Sequence, residues 1–345
     1  MNIALLIPSL IYCGPINVVL GIVKNITNID EFTKFTIVCI ENHVDKSLVK
    51  TIENANLAEI VFLSEIKLEL EQFFSKFDVV HSHGFYPDKL LASLKISIKK
   101  ISTIHCMFYK DYPKEYGFLK GYLGAFIHMR NLKKGNFDHI ICCSKSVADY
   151  VFLNTKLKNL FFINNGVDQS LFFPLDPVSK NKRLNEVGFH NYKRIFVYSG
   201  RLIRRKRVPE LINFFVNNAN SDDLLIVLGE GEEFDDCKKI AKNNIIFLGH
   251  VNNPEYYYQI SDFIISNSSA EGYPMSILEA ASCGCFAILS NIKPHVEFVE
   301  NNPDISELLN NFNFNDVVEI NSNYSFSELS SLSMAKKYLD FYKKV

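Results

Sequence analysis

The stretch Asp262-Phe263-Ile264-Ile265-Ser266-Asn267-Ser268-Ser269-Ala270-Glu271-Gly272-Tyr273-Pro274-Met275-Ser276-Ile277-Leu278-Glu279-Ala280 decides the fold. A short apolar run comes first, then a small polar loop with a Gly and a Pro, then a helix-forming segment. Pro274 suits the first turn of that helix, where its missing N–H costs nothing. A continuous apolar strand feeding a helix in this way is one unit of a parallel sheet covered on both faces.

The same alternation extends in both directions. Arg194–Ser199, Leu224–Gly229, Asn244–Gly249 and Phe286–Ser290 join Asp262–Ser266 as one set of buried strands. Upstream, Asn2–Pro8, Lys34–Glu41, Glu59–Leu63, Asp78–His83, Lys100–His105 and Asp138–Ser144 form another, separated by stretches of helical length such as Ile16–Asn28. Leu171–Arg183, with Pro174 and Pro177, divides the sets and reads as a hinge. The chain has 345 residues, long enough for two cores. The expected fold is α/β, with two Rossmann-like domains whose parallel sheets face an interdomain cleft. Boundaries fall at 1–172 and 173–328, with an amphipathic C-terminal helix in 329–345 (Ser333–Val345).

Composition narrows the function classes. Net charge is −1, so no overall field favours nucleic acid. Eight cysteines lie scattered without a C-x-x-C pair, which argues against a disulfide framework or zinc site and for a reducing, cytoplasmic setting. The apolar start Met1–Pro8 lacks a basic n-region and a small-residue cleavage site, so it reads as a buried strand rather than a signal peptide.

In open parallel sheets, ligands bind beyond the carboxyl ends of strands, so chemistry is sought directly after each strand. Glu271 and Glu279 stand eight positions apart around a helix start, and N–H groups near Met275 and Ser276 can hold an anion. The carboxylates can bind hydroxyls at either end of a nucleotide sugar; the plainer alternative is a solvated helix with a capping acid. Tyr198-Ser199-Gly200-Arg201-Leu202 leads into Lys206, with five cations in Arg201–Arg207. Arg201 and Lys206 read as a diphosphate site, and Arg204, Arg205 and Arg207 as solvated charge. Gly14 follows the first strand and either admits a phosphate or makes a tight turn. His105 ends a strand and is placed to touch a phosphate or sugar hydroxyl; for His81 and His83 a structural role stays open. A nicotinamide enzyme is disfavoured, since the first turn lacks G-x-G-x-x-G. The sequence has no Asp-x-Asp at a strand end, so no metal and no cofactor are expected beyond the sugar donor.

Taken together, these segments resemble the family 4 retaining glycosyltransferases of the GT-B fold, of bacterial surface-polysaccharide type. The likeness runs through Gly14, Asp78-Val79-Val80-His81-Ser82-His83, Thr103-Ile104-His105, Asp138–Ser144, Asn165-Gly166-Val167-Asp168, Gly200-Arg201-Leu202 with Lys206, Gly229-Glu230-Gly231, Phe247-Leu248-Gly249-His250 and the E-x7-E pair Glu271 and Glu279. It implies a nucleotide-sugar donor, with UDP the expected carrier, held by Gly14, Arg201, Lys206, His250, Val251, Glu271, Gly272, Tyr273, Met275, Ser276 and Glu279. Glu279 would hold the ribose, Glu271 the sugar hydroxyls, and backbone around His250 and Val251 the base. Glu271, His105, Lys206 and Arg201 would form the catalytic group, and the final helix would cross back onto the first domain. Three departures stand out: Arg207 where Gly is usual, Pro15 where a second Gly is frequent, and Phe286 where Pro is common.

Between Lys95 and Lys134, nine Lys and Arg face only Asp111 and Glu115, a local balance of +7. Interleaved aromatic and Leu residues from Phe108 to Phe126 make this a candidate anionic-membrane face on the acceptor side, with Lys110, Lys120 and His83 as acceptor residues; a charged helix packed on its own domain is the alternative. The expected acceptor is a glycan or polyprenyl-diphosphate-linked glycan, in O-antigen or capsule synthesis. The competing functions are a nucleotide-sugar epimerase on the same scaffold and an inactive ligand-binding homologue.

Overall fold

The computed structural model describes residues 1–67, 69–316 and 324–345. Two compact units emerge: Met1–Val167 with Ser327–Val345, and Asp168–Phe326. The first unit ends at Val167 because that residue is tied to Ser330 by a parallel bridge.

The first unit holds seven strands: β1 (Asn2–Ile7), β2 (Lys34–Cys39), β3 (Glu59–Phe62), β4 (Val79–His83), β5 (Lys99–Ile104), β6 (His139–Cys142) and β7 (Leu160–Phe162). Their order is β3-β2-β1-β4-β5-β6-β7, every pair parallel. The second holds six: β8 (Arg194–Ser199), β9 (Asp223–Leu228), β10 (Ile245–Gly249), β11 (Phe263–Ser266), β12 (Phe286–Leu289) and β13 (Ser306–Leu308). These run β10-β9-β8-β11-β12-β13, again all parallel. In each sheet the strand order reverses at one junction, β1/β4 or β8/β11, where ligands of such sheets bind.

Burial follows the apolar pattern. Central strands are solvent-free along nearly their whole length, while the edge strand β7 leaves Phe161 and Phe162 half exposed. In the second unit, Phe196 and Phe263 stack across β8 and β11 with ring centroids 4.6 Å apart. The helix Gly14–Ile29 buries Ile16, Val19, Ile22, Val23 and Ile26, an i, i+3, i+4 stripe. The C-terminal helix Ser331–Tyr342 packs on it: a side chain at Gly21 would meet Met334 at 3.1 Å and Ser331 at 3.2 Å. Asn25 Nδ2 donates to Ser331 Oγ at 3.0 Å.

Two expectations change. The hinge segment Leu171–Arg183 contains the start of a helix, Pro177–Glu186, because Asp176 caps it by accepting from the N–H groups of Val178 and Ser179. The short edge strands β7 and β13, at three residues each, carry too little apolar pattern to stand out in the sequence. Among the described residues, no helix is long and apolar enough to cross a membrane.

Candidate functional site

The second unit gathers its charges at the carboxyl ends of β8 and β11, the neighbours at its order reversal. The turn after β8 is set by backbone packing against the turn after β9. A Cβ on Gly229 would lie 2.1 Å from the Gly200 carbonyl oxygen, and one on Gly231 would lie 2.3 Å from that of Leu202. Leu202 N–H donates to Glu230 O at 2.8 Å, locking the two turns together. This explains why Gly200-Arg201-Leu202 and Gly229-Glu230-Gly231 occur as motifs: only glycine lets the backbones approach so closely.

The loop that follows is stitched to the loop after β11. Ser269 donates both its N–H and its Oγ–H to the Arg205 carbonyl, each at 2.8 Å. Arg205 Nη1 donates to Ala270 O at 2.7 Å and to Glu271 Oε2 at 3.0 Å, and Lys206 Nζ pairs with Glu271 Oε1 at 2.5 Å. Glu271 is buried. Burial alone would raise its carboxyl, but Lys206 and then Arg205 outweigh it and hold it down to about 2. Arg205 therefore corrects the sequence expectation: its side chain is 13% exposed and joins the ion pair rather than standing in solvent. The cause is the stitched loop, which no local pattern reveals.

Pro274 precedes the helix Met275–Ser282, and no side chain caps its start. The first N–H groups, beside half-buried Met275 and Ser276, carry the positive end of the helix dipole. Gly272 and Tyr273 are buried, with Tyr273 against the Phe298 ring. Glu279, on the second turn, is buried beside Tyr258, whose hydroxyl lies 2.7 Å from Ser199 Oγ and 3.5 Å from Glu279 Oε2. Desolvation raises Glu279 to about 7. Tyr258, which the sequence reasoning passed over, thus links the end of β8 to the second acid. Arg201 and His250 are exposed and Val251 is half-buried; His250 N–H faces Glu230 Oε1 at 3.4 Å.

The first unit places Gly14 at the opening residue of its first helix, behind an uncapped Cys13. His81, His83 and His105 form a cluster at the ends of β4 and β5. His83 Nδ1 lies 3.1 Å from His105 Nε2, while His81 is held by Tyr342 OH at 2.6 Å and Thr103 Oγ1 at 2.7 Å. Burial keeps all three imidazoles neutral, with His105 pushed down to about 4 and His81 to about 3. His83, expected on the acceptor side, is 1% exposed and lies beneath His105. Lys110 and Lys120 are exposed on the helices Phe108–Tyr116 and Phe118–Lys134.

Residues 35–171 match the family described as Glycosyltransferase Family 4, and residues 179–309 the family described as Glycosyl transferases group 1. The chain belongs to the family 4 glycosyltransferases. As a glycosyltransferase it is 26% identical over 313 residues to the O-antigen biosynthesis glycosyltransferase WclY of Escherichia coli, covering 87% of this chain and 83% of that protein. It is also 26% identical over 248 residues to an Escherichia coli UDP-Gal:alpha-D-GlcNAc-diphosphoundecaprenol alpha-1,3-galactosyltransferase, covering 66% of this chain and 62% of the other. The crystal structure of Anabaena HepE in complex with UDP superposes with a TM-score of 0.73 at 15% identity, over 100% of both chains. The fold of this glycosyltransferase is GT-B, built from the two Rossmann-like units. An epimerase is not favoured by this family membership.

Proposed function

We propose that this glycosyltransferase takes a sugar from a UDP-linked donor and transfers it, with retention at the anomeric carbon, to a lipid-linked glycan in bacterial surface-polysaccharide synthesis. The observation that carries the donor assignment is the Lys206–Glu271 pair, held at 2.5 Å where the strand order reverses. Departure of the nucleotide builds negative charge on the diphosphate and positive charge on the sugar ring. Lys206, Arg201 and the open start of the helix Met275–Ser282 would stabilise the first; Glu271 would face the second and bind sugar hydroxyls. Glu279 would take the ribose, and backbone at His250 and Val251 the base. Gly272, Tyr273, Met275 and Ser276 would complete the donor wall. No metal is expected, since Lys206 and Arg201 would supply the positive charge.

The acceptor assignment draws on the acceptor of the Escherichia coli galactosyltransferase and the O-antigen role of WclY, extended to this chain by likeness. A surface feature supports work at an anionic membrane from the cytoplasmic side. Phe108 and Tyr112 turn inward against His128, whereas Tyr116, Phe118, Leu119, Tyr122, Leu123 and Phe126 stay exposed, Leu119 at 80%. Lys110, Lys114, Lys120 and Arg130 border them. Exposed apolar side chains ringed by cations fit an interfacial helix.

Thermal shift with UDP-sugars tests the donor assignment. Wild-type protein should melt higher with one of them, by mass action, and Lys206→Ala should lose that rise relative to its own unliganded melting point, which falls because Glu271 loses its partner. A Lys206→Ala protein that keeps both the shift and normal turnover would sink the proposal. For the membrane face, co-sedimentation with vesicles should need anionic lipid, and equal binding to neutral vesicles would remove it.

A further inference from the structure

β12 lies beside β11, and the turn after it carries a residue that the donor assignment does not use. His295 stands in the first turn of the helix Lys293–Asn301 and is fully buried. Its neighbours fix where its proton sits. Ser290 Oγ donates to the Ser268 carbonyl at 2.7 Å, so its single hydrogen is committed. The 2.9 Å contact from Ser290 Oγ to His295 Nδ1 therefore needs its hydrogen on the nitrogen. The Ser290 carbonyl, 3.2 Å from the same Nδ1, can only accept. Both contacts put the proton on Nδ1. Burial keeps the ring neutral, pushing it down to about 4, so Nε2 holds a bare lone pair.

That lone pair is buried and has no partner among the described residues. Buried polar atoms are nearly always hydrogen-bonded, and an exception asks for a cause. Its surroundings supply one. Ser268 lies on the loop that carries Glu271, and Ser290 N–H donates to Ser266 O at 2.9 Å, so the imidazole is braced against the end of β11. It is also near enough to Glu271 and Lys206 for their charges to act on it. Lys206, turned to Glu271, does not reach Nε2. A neutral acceptor beside a carboxylate suits a ligand that brings hydroxyl groups.

We infer that His295 recognises the donor sugar, its Nε2 accepting a hydrogen bond from a sugar hydroxyl while Nδ1–H, through Ser290 and Ser268, steadies the loop of Glu271. This rests on the donor lying at Lys206 and Glu271, as proposed above.

Two substitutions separate the halves of the role. His295→Asn keeps an N–H near the Nδ1 position and loses the acceptor; His295→Gln keeps an acceptor near Nε2 and loses the brace. Calorimetric titration with UDP, UDP-glucose, UDP-galactose and UDP-N-acetylglucosamine reads the difference. UDP alone should bind wild type and both variants within about twofold. The sugar nucleotide bound tightest by wild type should weaken roughly tenfold in His295→Asn, the size of one hydrogen bond, and recover most of that in His295→Gln. Donor KM should follow the same order. Equal weakening of UDP and UDP-sugar in His295→Asn would mean a structural role only and overturns the inference, as does unchanged sugar-nucleotide affinity. A different pattern marks failure of the donor assignment itself: UDP binding that survives Lys206→Ala, or no binding of any of the four, and the inference then falls with it.

Discussion

The two sheets are built alike, yet the chemistry collected at their strand ends is opposite in kind. Where β8 and β11 meet, Lys206, Arg205 and Glu271 are ionised and paired at 2.5 to 3.0 Å. Beyond β1 and β4 the first unit offers an uncapped helix start, and on β4 and after β5 three imidazoles that burial keeps neutral. The difference teaches that the parallel sheet supplies only a place. Whether that place handles charge or hydrogen bonds is set by which side chains are desolvated with partners of opposite sign and which are desolvated with neutral ones.

The sharpest way to break this contrast is Glu271→Ala. It leaves Arg205 and Lys206 partly buried without their anion, so stability should fall by about 3 kcal/mol in denaturant titration and turnover by at least about a hundredfold. A variant of wild-type stability would mean that the ion pair is solvated after all.

Glu279 tests the other acid of the second unit. Its carboxyl is raised to about 7 from an ordinary value near 4.5. The folded state therefore holds its proton more tightly than the unfolded chain. Stability should decline as pH rises from 4.5 through 7 and level off above. Glu279→Gln should remove roughly 2 kcal/mol of that decline, read from melting curves at pH 5 and pH 8. An unchanged pH dependence would place Glu279 in water.

For the neutral side, His105→Ala should lower turnover about tenfold, within the range of one lost hydrogen-bonding group. Because His105 is held at about 4, the wild-type pH–rate profile between 6 and 9 should carry no limb belonging to it. An inflection near 6.5 that disappears in His105→Asn would erase the contrast between the two units.

The smallest effect concerns Arg207, which sits in the left-handed region with φ +52° at the start of the helix Val208–Asn218. Arg207→Gly should relieve that strain and raise stability by about 1 kcal/mol with transfer unchanged. A destabilised variant would mean that the arginine makes compensating contacts.

Much of this was legible beforehand, and particular residues say why. Central strands such as Asp262–Ser266 announce themselves because burial on both faces demands an unbroken apolar run. Lys206 and Glu271 drew attention through the rule that ligands sit past strand ends, and the folded loops pair them. The odd arginine at 207 was noticed as a departure from glycine, and its backbone angle supplies the physical reason that glycine suits the position. Arg205, by contrast, looks like its solvated neighbours until Ser269 and Ala270 fold over it from another strand. Tyr258 and His295 were hidden likewise, since their hydrogen bonds join residues 59 and 5 positions away whose pairing only the folded sheet creates. Short edge strands escape because three residues cannot establish a period.

The C-terminal helix has one more consequence, for the order of events at the ribosome. Tyr338 and Tyr342 are buried, within hydrogen-bonding distance of Thr103 and His81, and Met334 fills the groove at Gly21. A nascent chain ending anywhere before residue 330 lacks that wall, while Asp168–Phe326 is already complete as a unit. The half synthesised first is thus the half whose core closes last, once the tail has been made.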